Sequence, residues 1–223
     1  MTRARFDPWR PPARAGLAIA GSALILAGCG GTGPAAPQVS ALEDDFSGAA
    51  CRFGSLEGTS SFGYDCADGE FRAWIDNDEA SYDFIAASAG ASYEDVVVEV
   101  DARFVSGKDA GVYLVCRGSQ VSGNFYALRV GRDGNAEITD YLDGEEQLAR
   151  LATLAEGSIL AGANHLRADC IGNELRLYLN GKLVLEREIE GGAHGPGDVG
   201  LGAGGGAEGM SEVRFDNLLI RQP

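Results

Sequence analysis

The chain has 223 residues, with 33 acidic against 18 basic side chains, a net charge of −15 and a hydrophobic content of 45%. So acidic a surface repels phosphate backbones and anionic head groups, which excludes nucleic acid and other polyanions as partners. The apolar content is enough for one domain of this length to bury a core without a partner.

Four arginines (Arg3, Arg5, Arg10, Arg14) precede an apolar, small-residue run from Ala15 to Gly28. That run is shorter than the ~20 residues a membrane-crossing helix needs, and its layout is that of a secretory signal. Leu26-Ala27-Gly28-Cys29 resembles a bacterial lipoprotein box, in which Cys29 carries the lipid and becomes the mature N-terminus. The alternative is an ordinary cleaved signal. Removing residues 1–28 leaves 14 basic against 32 acidic residues. Residues 29–41 are small and without apolar periodicity, a flexible tether, and residues 42–223 form the folded domain.

From Leu42 onward short alternating runs are separated by turn signals. Strands are predicted at Phe71–Ile75, Val96–Phe104, Gly111–Arg117, Phe125–Val130, Ala136–Tyr141 and Glu146–Leu151. Others follow at His165–Ile171, Glu174–Leu179, Leu183–Glu188, Val199–Ala203 and Ser211–Arg221. In the second of these Val96, Val98, Val100, Ala102 and Phe104 share one face, and Glu99, Asp101 and Arg103 the other. Asp133-Gly134, Asp143-Gly144 and Asn180-Gly181 are hairpin signals, because such pairs tolerate positive φ. Residues 147–155 compete as a helix but lack length and caps. Many short strands, 33 glycines and no long helix predict an all-β fold, a two-sheet antiparallel sandwich or jelly roll.

Four cysteines follow Cys29. An even number in an exported chain reads as two disulfides, and Cys51–Cys66 with Cys116–Cys170 is the favoured of three connectivities. Zinc is the competing reading, without a Cys-x-x-Cys pair to support it.

The pieces DDFSG (44–48), GEFRAWI (69–75), VVVEVDARF (96–104), GVYLVCRG (111–118), NFYALRVG (124–131), the run 164–184, DVGLGAGGG (198–206) and VRFDNLLI (213–220) follow one another in this order. Together they resemble a concanavalin A-like lectin/glucanase domain, most closely the family-16-like or 3-keto-disaccharide hydrolase branch. The resemblance implies the jelly roll and a saccharide ligand. Glycosidases of this type carry a Glu-x-Asp-x-(x)-Glu strand. Here Glu99 and Asp101 are the catalytic candidates, but the second Glu is missing and Arg103 stands near its place. An arginine beside two carboxylates holds them ionised, which suits an ion-pair lattice. The resemblance also implies a polar acid in the strand 125–129, where this chain has none, and an Arg117 able to reach a sugar hydroxyl or carboxylate.

Trp74 is the one tryptophan outside the leader and lies beside Arg72, a flat ring able to pack on a sugar. Tyr113 shares a face with Arg117, and Tyr178 with Arg176. Arg72, Trp74, Arg103, Tyr113 and Arg117 are therefore the ligand-binding candidates, expected with Glu99 and Asp101 on one polar sheet face. The acidic loop 76–79 is a possible calcium site through Asp76 and Asp78, and Asp216 is another candidate ligand; no other cofactor is expected. His165 and His194 have no nucleophile arranged beside them. The expected protein is a lipid-anchored, extracytoplasmic, non-catalytic β-sandwich that binds a glycan or another envelope ligand. The alternatives are a glycoside-hydrolase-like enzyme and a structural envelope module.

Overall fold

A computed structural model describes residues 41–223 apart from 49, 57–60, 77, 79–83, 120 and 206–208, with backbone alone at 148. The leader, Cys29 and the tether up to residue 40 lie outside the described residues, as do Asn77 and Glu79 of the acidic loop. The described residues form fourteen strands and no helix: β1 Ala41–Asp44, β2 Phe62–Ala67, β3 Glu70–Asp76, β4 Phe84–Tyr93, β5 Val96–Ser106, β6 Gly111–Gly118 and β7 Phe125–Gly131. The second half continues with β8 Asn135–Leu142, β9 Glu145–Thr153, β10 Asn164–Ile171, β11 Glu174–Leu179, β12 Lys182–Glu188, β13 Gly197–Gly204 and β14 Met210–Arg221.

All pairings are antiparallel. One sheet runs β12-β11-β10-β5-β14-β3-β2, with β1 also on β14, and the other runs β4-β13-β6-β7-β8-β9. Alternation assigns every strand an inner row. Val96, Val98 and Val100 of β5, Leu175 and Leu177 of β11 and Phe215 of β14 meet Leu114, Leu128, Ile138 and Leu201 of the other sheet, all fully buried.

The hairpins follow their turn residues. Asp143-Gly144 and Asn180-Gly181 each have both φ values positive, the backbone that matches strand twist. Asp68-Gly69 does the same between β2 and β3 (φ 58° and 78°), a signal of equal strength that joins a strand not predicted above. Residues 147–153 are strand, within β9.

Both favoured disulfides are present. Cys51–Cys66 has a Cα separation of 5.4 Å, and Cys116–Cys170, at 6.6 Å, ties β6 of one sheet to β10 of the other through the core. The second link closes a chain segment of 54 residues, so its constraint on the unfolded chain is the larger.

Candidate functional site

The expected single polar face is in fact divided. Arg72, Trp74, Glu99, Asp101 and Arg103 lie on the outer face of the eight-stranded sheet, whereas Tyr113 lies on the outer face of the six-stranded sheet, across the whole core. Arg117 belongs to neither. It sits where the register of β6 against β13 shifts, with φ +52°, and is 2% exposed. Its Nε donates to the Glu94 carbonyl (2.7 Å) and its Nη2 to Asp95 (3.1 Å), so it anchors the β4–β5 turn. Strict alternation put it beside Tyr113; the bulge breaks that alternation.

The outer face of the eight-stranded sheet is a lattice of ion pairs. Arg103 pairs with Glu70 of β3 through both its Nε (2.7 Å) and Nη2 (2.6 Å), rather than with Glu99 or Asp101. Glu99 instead meets Arg221 (3.1 Å) and His165 (3.5 Å), and Asp101 meets His165 (2.9 Å) and Asn217 (3.0 Å). The two acids do share a face, as predicted, with His165 between them. The hydrogen bonds from Arg103, then that from Arg214, hold the Glu70 carboxyl below the ordinary range against its burial. Trp74 packs against Gly63, where a Cβ would overlap the indole, and carries the Arg72 guanidinium 4.6 Å from its ring centroid. Arg72 is fixed in turn by Asp65 (2.6 Å). Tyr178 is likewise covered by Arg167 at 5.1 Å.

Asp76 and Asp78 accept backbone N–H groups from Asp78 (3.1 Å) and Gly209 (3.1 Å), respectively, and Asp216 accepts that of Asn217 (2.7 Å). Among the described residues no three His, Cys, Asp or Glu side chains are grouped as metal ligands. His194 bonds Asp140 (2.8 Å) and stacks on Tyr126 at 4.4 Å.

The outer face of the six-stranded sheet has a different chemistry. Phe84 of β4 stacks on Tyr113 of β6 with centroids 4.3 Å apart, and Phe125 of β7 stacks on Tyr141 of β8, also at 4.3 Å. The two stacks meet edge to face, with Phe84 6.0 Å from Phe125 and 5.9 Å from Tyr141. β4 and β8 are four strand steps apart, about 19 Å at the usual spacing. Side chains of this length close such a gap only where the sheet curls, so this face is the inside of a curve. Between β4 and β6 runs β13, whose outward positions are Gly200, Gly202 and Gly204. With no side chains there, the Phe84 and Tyr113 rings meet across the strand. A Cβ at Gly202 would overlap the Ile85 carbonyl oxygen, so the close β4–β13 approach requires glycine.

Polar groups border the rings. Arg129 is the cross-strand neighbour of both Tyr113 and Glu137 and is 9% exposed. It lies against Gly111 and Gly131 and reaches Asp133 (3.3 Å) and the Asp109 carbonyl (3.4 Å). Burial pushes the Asp133 carboxyl up, but hydrogen bonds from Asn135 and Arg129 outweigh it and hold the group low. Thr139 donates to Glu137 (2.7 Å). On the far side Ser88 donates to Asp198 (3.0 Å), whose carboxyl burial pushes above the ordinary aspartate range. The face thus carries aromatic rings, a fixed cation, the hydroxyls of Ser88 and Thr139, and the carboxyls of Asp133, Glu137 and Asp198, of which Asp133 is held low and Asp198 is raised.

A model of the 3-keto-alpha-glucoside-1,2-lyase-like domain matches residues 54–221. The chain belongs to this family. No curated protein matches it in sequence. Among solved structures it is similar to a carbohydrate-binding module from Bacillus subtilis (17% identity, TM-score 0.59, covering 75% of this chain and 94% of that one). It is also similar to a Bacillus licheniformis β-glucanase (11%, 0.62, 82% and 99%) and to an endo-β-1,3(4)-glucanase of family 16 (14%, 0.54, 85% and 94%). At such identities the likeness is one of fold, and that fold is the concanavalin A-like jelly roll. Within the family domain the aromatic face is built by Phe84, Phe125, Arg129, Glu137, Thr139, Tyr141 and Asp198, besides Tyr113. Of these the sequence singles out only Tyr113, because the others come from β4, β7, β8 and β13 and meet only through the curl.

Proposed function

We propose that the domain binds a saccharide on the curled face of the six-stranded sheet. The observation that carries this reading is the half-buried ring of Tyr113, stacked on Phe84 over a buried aromatic cluster and bordered by Arg129 and half-buried Glu137. Rings take the C–H faces of sugars, and fixed donors and acceptors take the hydroxyls. The carbohydrate-binding module and glucanases of similar fold support it, as does the family's glucoside-directed name. Arg72, Trp74 and Arg103, proposed from sequence as ligand contacts, are engaged in ion pairs or ring contacts on the opposite face and would have to release them. Export through the leader and lipid attachment at Cys29, which would hold the domain on the outer side of a bacterial membrane, are part of the same proposal. They are tested by mass spectrometry of the native N-terminus.

A glycan-array screen and calorimetry on the mature chain test the binding face. Tyr113→Ala and Arg129→Gln are expected to weaken saccharide binding at least tenfold, and Trp74→Ala to leave it unchanged. Loss of binding in Trp74→Ala alone would move the site to the other face.

The Asp198 carboxyl, hydrogen-bonded by Ser88 and pushed up by burial, favours a second reading, turnover of a keto-glucoside, since a carboxyl shifted in that direction suits general acid work. Product formation from a 3-keto-glucoside by the wild type, lost in Asp198→Asn, would select the enzyme. Binding without turnover selects the module.

A further inference from the structure

Acids on the two outer faces are neutralised differently. On the eight-stranded sheet Asp65, Glu70, Glu99 and Glu212 each meet an arginine at 2.6–3.1 Å. On the curled face Arg129 stands in register between Tyr113 and Glu137, the position from which it would pair with Glu137. Its side chain instead lies down along its own strand. A Cβ at Gly131 would overlap Nη2 and Cζ, and the guanidinium ends at Asp133 (3.3 Å). The bare backbone of Gly111 and Gly131 makes room for this and carries the charge about 7 Å, one same-face step along the strand, out of the Tyr113–Glu137 row.

Glu137 is left half-buried with no cation beside it among the described residues; its Oε1 accepts the hydroxyl of Thr139 (2.7 Å), which is 3% exposed. Asp198 is alike, half-buried and bonded by the Ser88 hydroxyl (3.0 Å). A carboxylate drawn out of water is costly unless a positive charge compensates it, and a hydroxyl donor brings none. The net charge of −15 deepens the negative potential. The one cation of the face is already offset by Asp133. Such a surface complements an apolar ring that carries a positive charge.

We infer that the saccharide bound here is an amino sugar, a hexosamine with a free ammonium group: Tyr113 takes the C–H face of its ring and Glu137 takes the ammonium. This rests on the saccharide reading above and narrows it. Tyr113 and Glu137 are two strand steps apart, about 10 Å at the usual spacing and less at the side-chain tips, because the face curls inward. An ammonium donates charge-assisted hydrogen bonds to a carboxylate, whereas a uronate would add a further negative group beside Asp133, Glu137 and Asp198.

Calorimetric titration of the chain with glucosamine, glucose, N-acetylglucosamine and glucuronate, in mildly acidic buffer of low salt, tests the inference. Glucosamine is expected to bind about tenfold tighter than glucose or N-acetylglucosamine, with glucuronate weakest, and added salt should narrow the gap. Glu137→Gln, which keeps an acceptor for Thr139, should bring the glucosamine-to-glucose ratio close to one, whatever its effect on glucose itself. Neutral sugars bound as tightly as glucosamine by the wild type, or an unchanged ratio in Glu137→Gln, overturn the inference and leave the saccharide site standing. Binding of none of the four sugars overturns the saccharide reading as well.

Discussion

On the outer face of the eight-stranded sheet Arg72, Arg214 and Arg103 stand side by side across β3, β14 and β5. Three like charges in a row are tolerated because Asp65, Glu70 and Glu212 interleave with them at 2.6–3.2 Å. On the outer face of the six-stranded sheet four aromatic rings pack together, and Phe84, Phe125 and Tyr141 are buried although the core lies on the far side of their strands. Both faces come from the same two-residue alternation. What separates them is solvent: one lattice is held in screened water, where each pair contributes little, and the other in a desolvated hollow, where rings and one enclosed arginine contribute much. The domain thus has one outer face of screened ion pairs and one of desolvated rings.

The two faces should differ most when an aromatic is truncated on each. Phe125→Ala is expected to cost about 3–5 kcal/mol in urea unfolding, as a core phenylalanine would, despite its outward position. Trp74→Ala is expected to cost less than half of that, because the indole is half-exposed. Equal costs would mean that the two faces do not differ in desolvation. Gly202→Ala follows, at about 1–3 kcal/mol, since the new methyl group overlaps the Ile85 carbonyl and must part β4 from β13. The same variant should separate Phe84 from Tyr113 and quench their near-ultraviolet circular dichroism.

Charge truncation is the next contrast. Arg129→Ala should cost about 1–3 kcal/mol, because Asp133 loses a partner in a half-buried place and the cavity over Gly111 and Gly131 is left open. Arg103→Ala should cost under ~1 kcal/mol, since Glu70 keeps Arg214 and both ends reach solvent. High salt should narrow the second cost and leave the first.

The eight-stranded face was largely legible in sequence because its information is local. Val96–Phe104 declares its inner and outer rows by alternation, and Glu99 and Asp101 share a face as that alternation requires. Their cations were not legible: Arg221 and His165 arrive from β14 and β10, and no spacing along the chain announces them. The curled face was hidden for two further reasons. β4 reads Phe-Ile-Ala-Ala-Ser-Ala-Gly-Ala-Ser-Tyr, poor in β-branched residues beyond Ile85, so local preference does not declare a strand. It is a strand because small residues let it approach the glycines of β13. Arg117 was misplaced for a related reason, since a bulge shifts the parity of everything beyond it.

The smallest effects are in the acid limb of stability, where one carboxyl from each face shifts in the opposite direction. Glu70 is held low in the folded state by Arg103 and Arg214, so its contribution is fully present above the ordinary glutamate value of about 4.3 and is lost as pH falls through the lower folded value. Glu70→Gln should therefore destabilise at neutral pH, with the difference from wild type vanishing in acid. Asp198 is pushed up by burial, so its ionisation costs stability as pH rises through the folded value, and below about 3.9 that cost is absent. Asp198→Asn should stabilise at neutral pH and be neutral in acid. Urea midpoints between pH 3 and pH 7 would show two difference curves of opposite sign. Curves of the same sign would mean that Asp198 is solvated like the acids of the other face, and that the hollow is wetter than its rings imply.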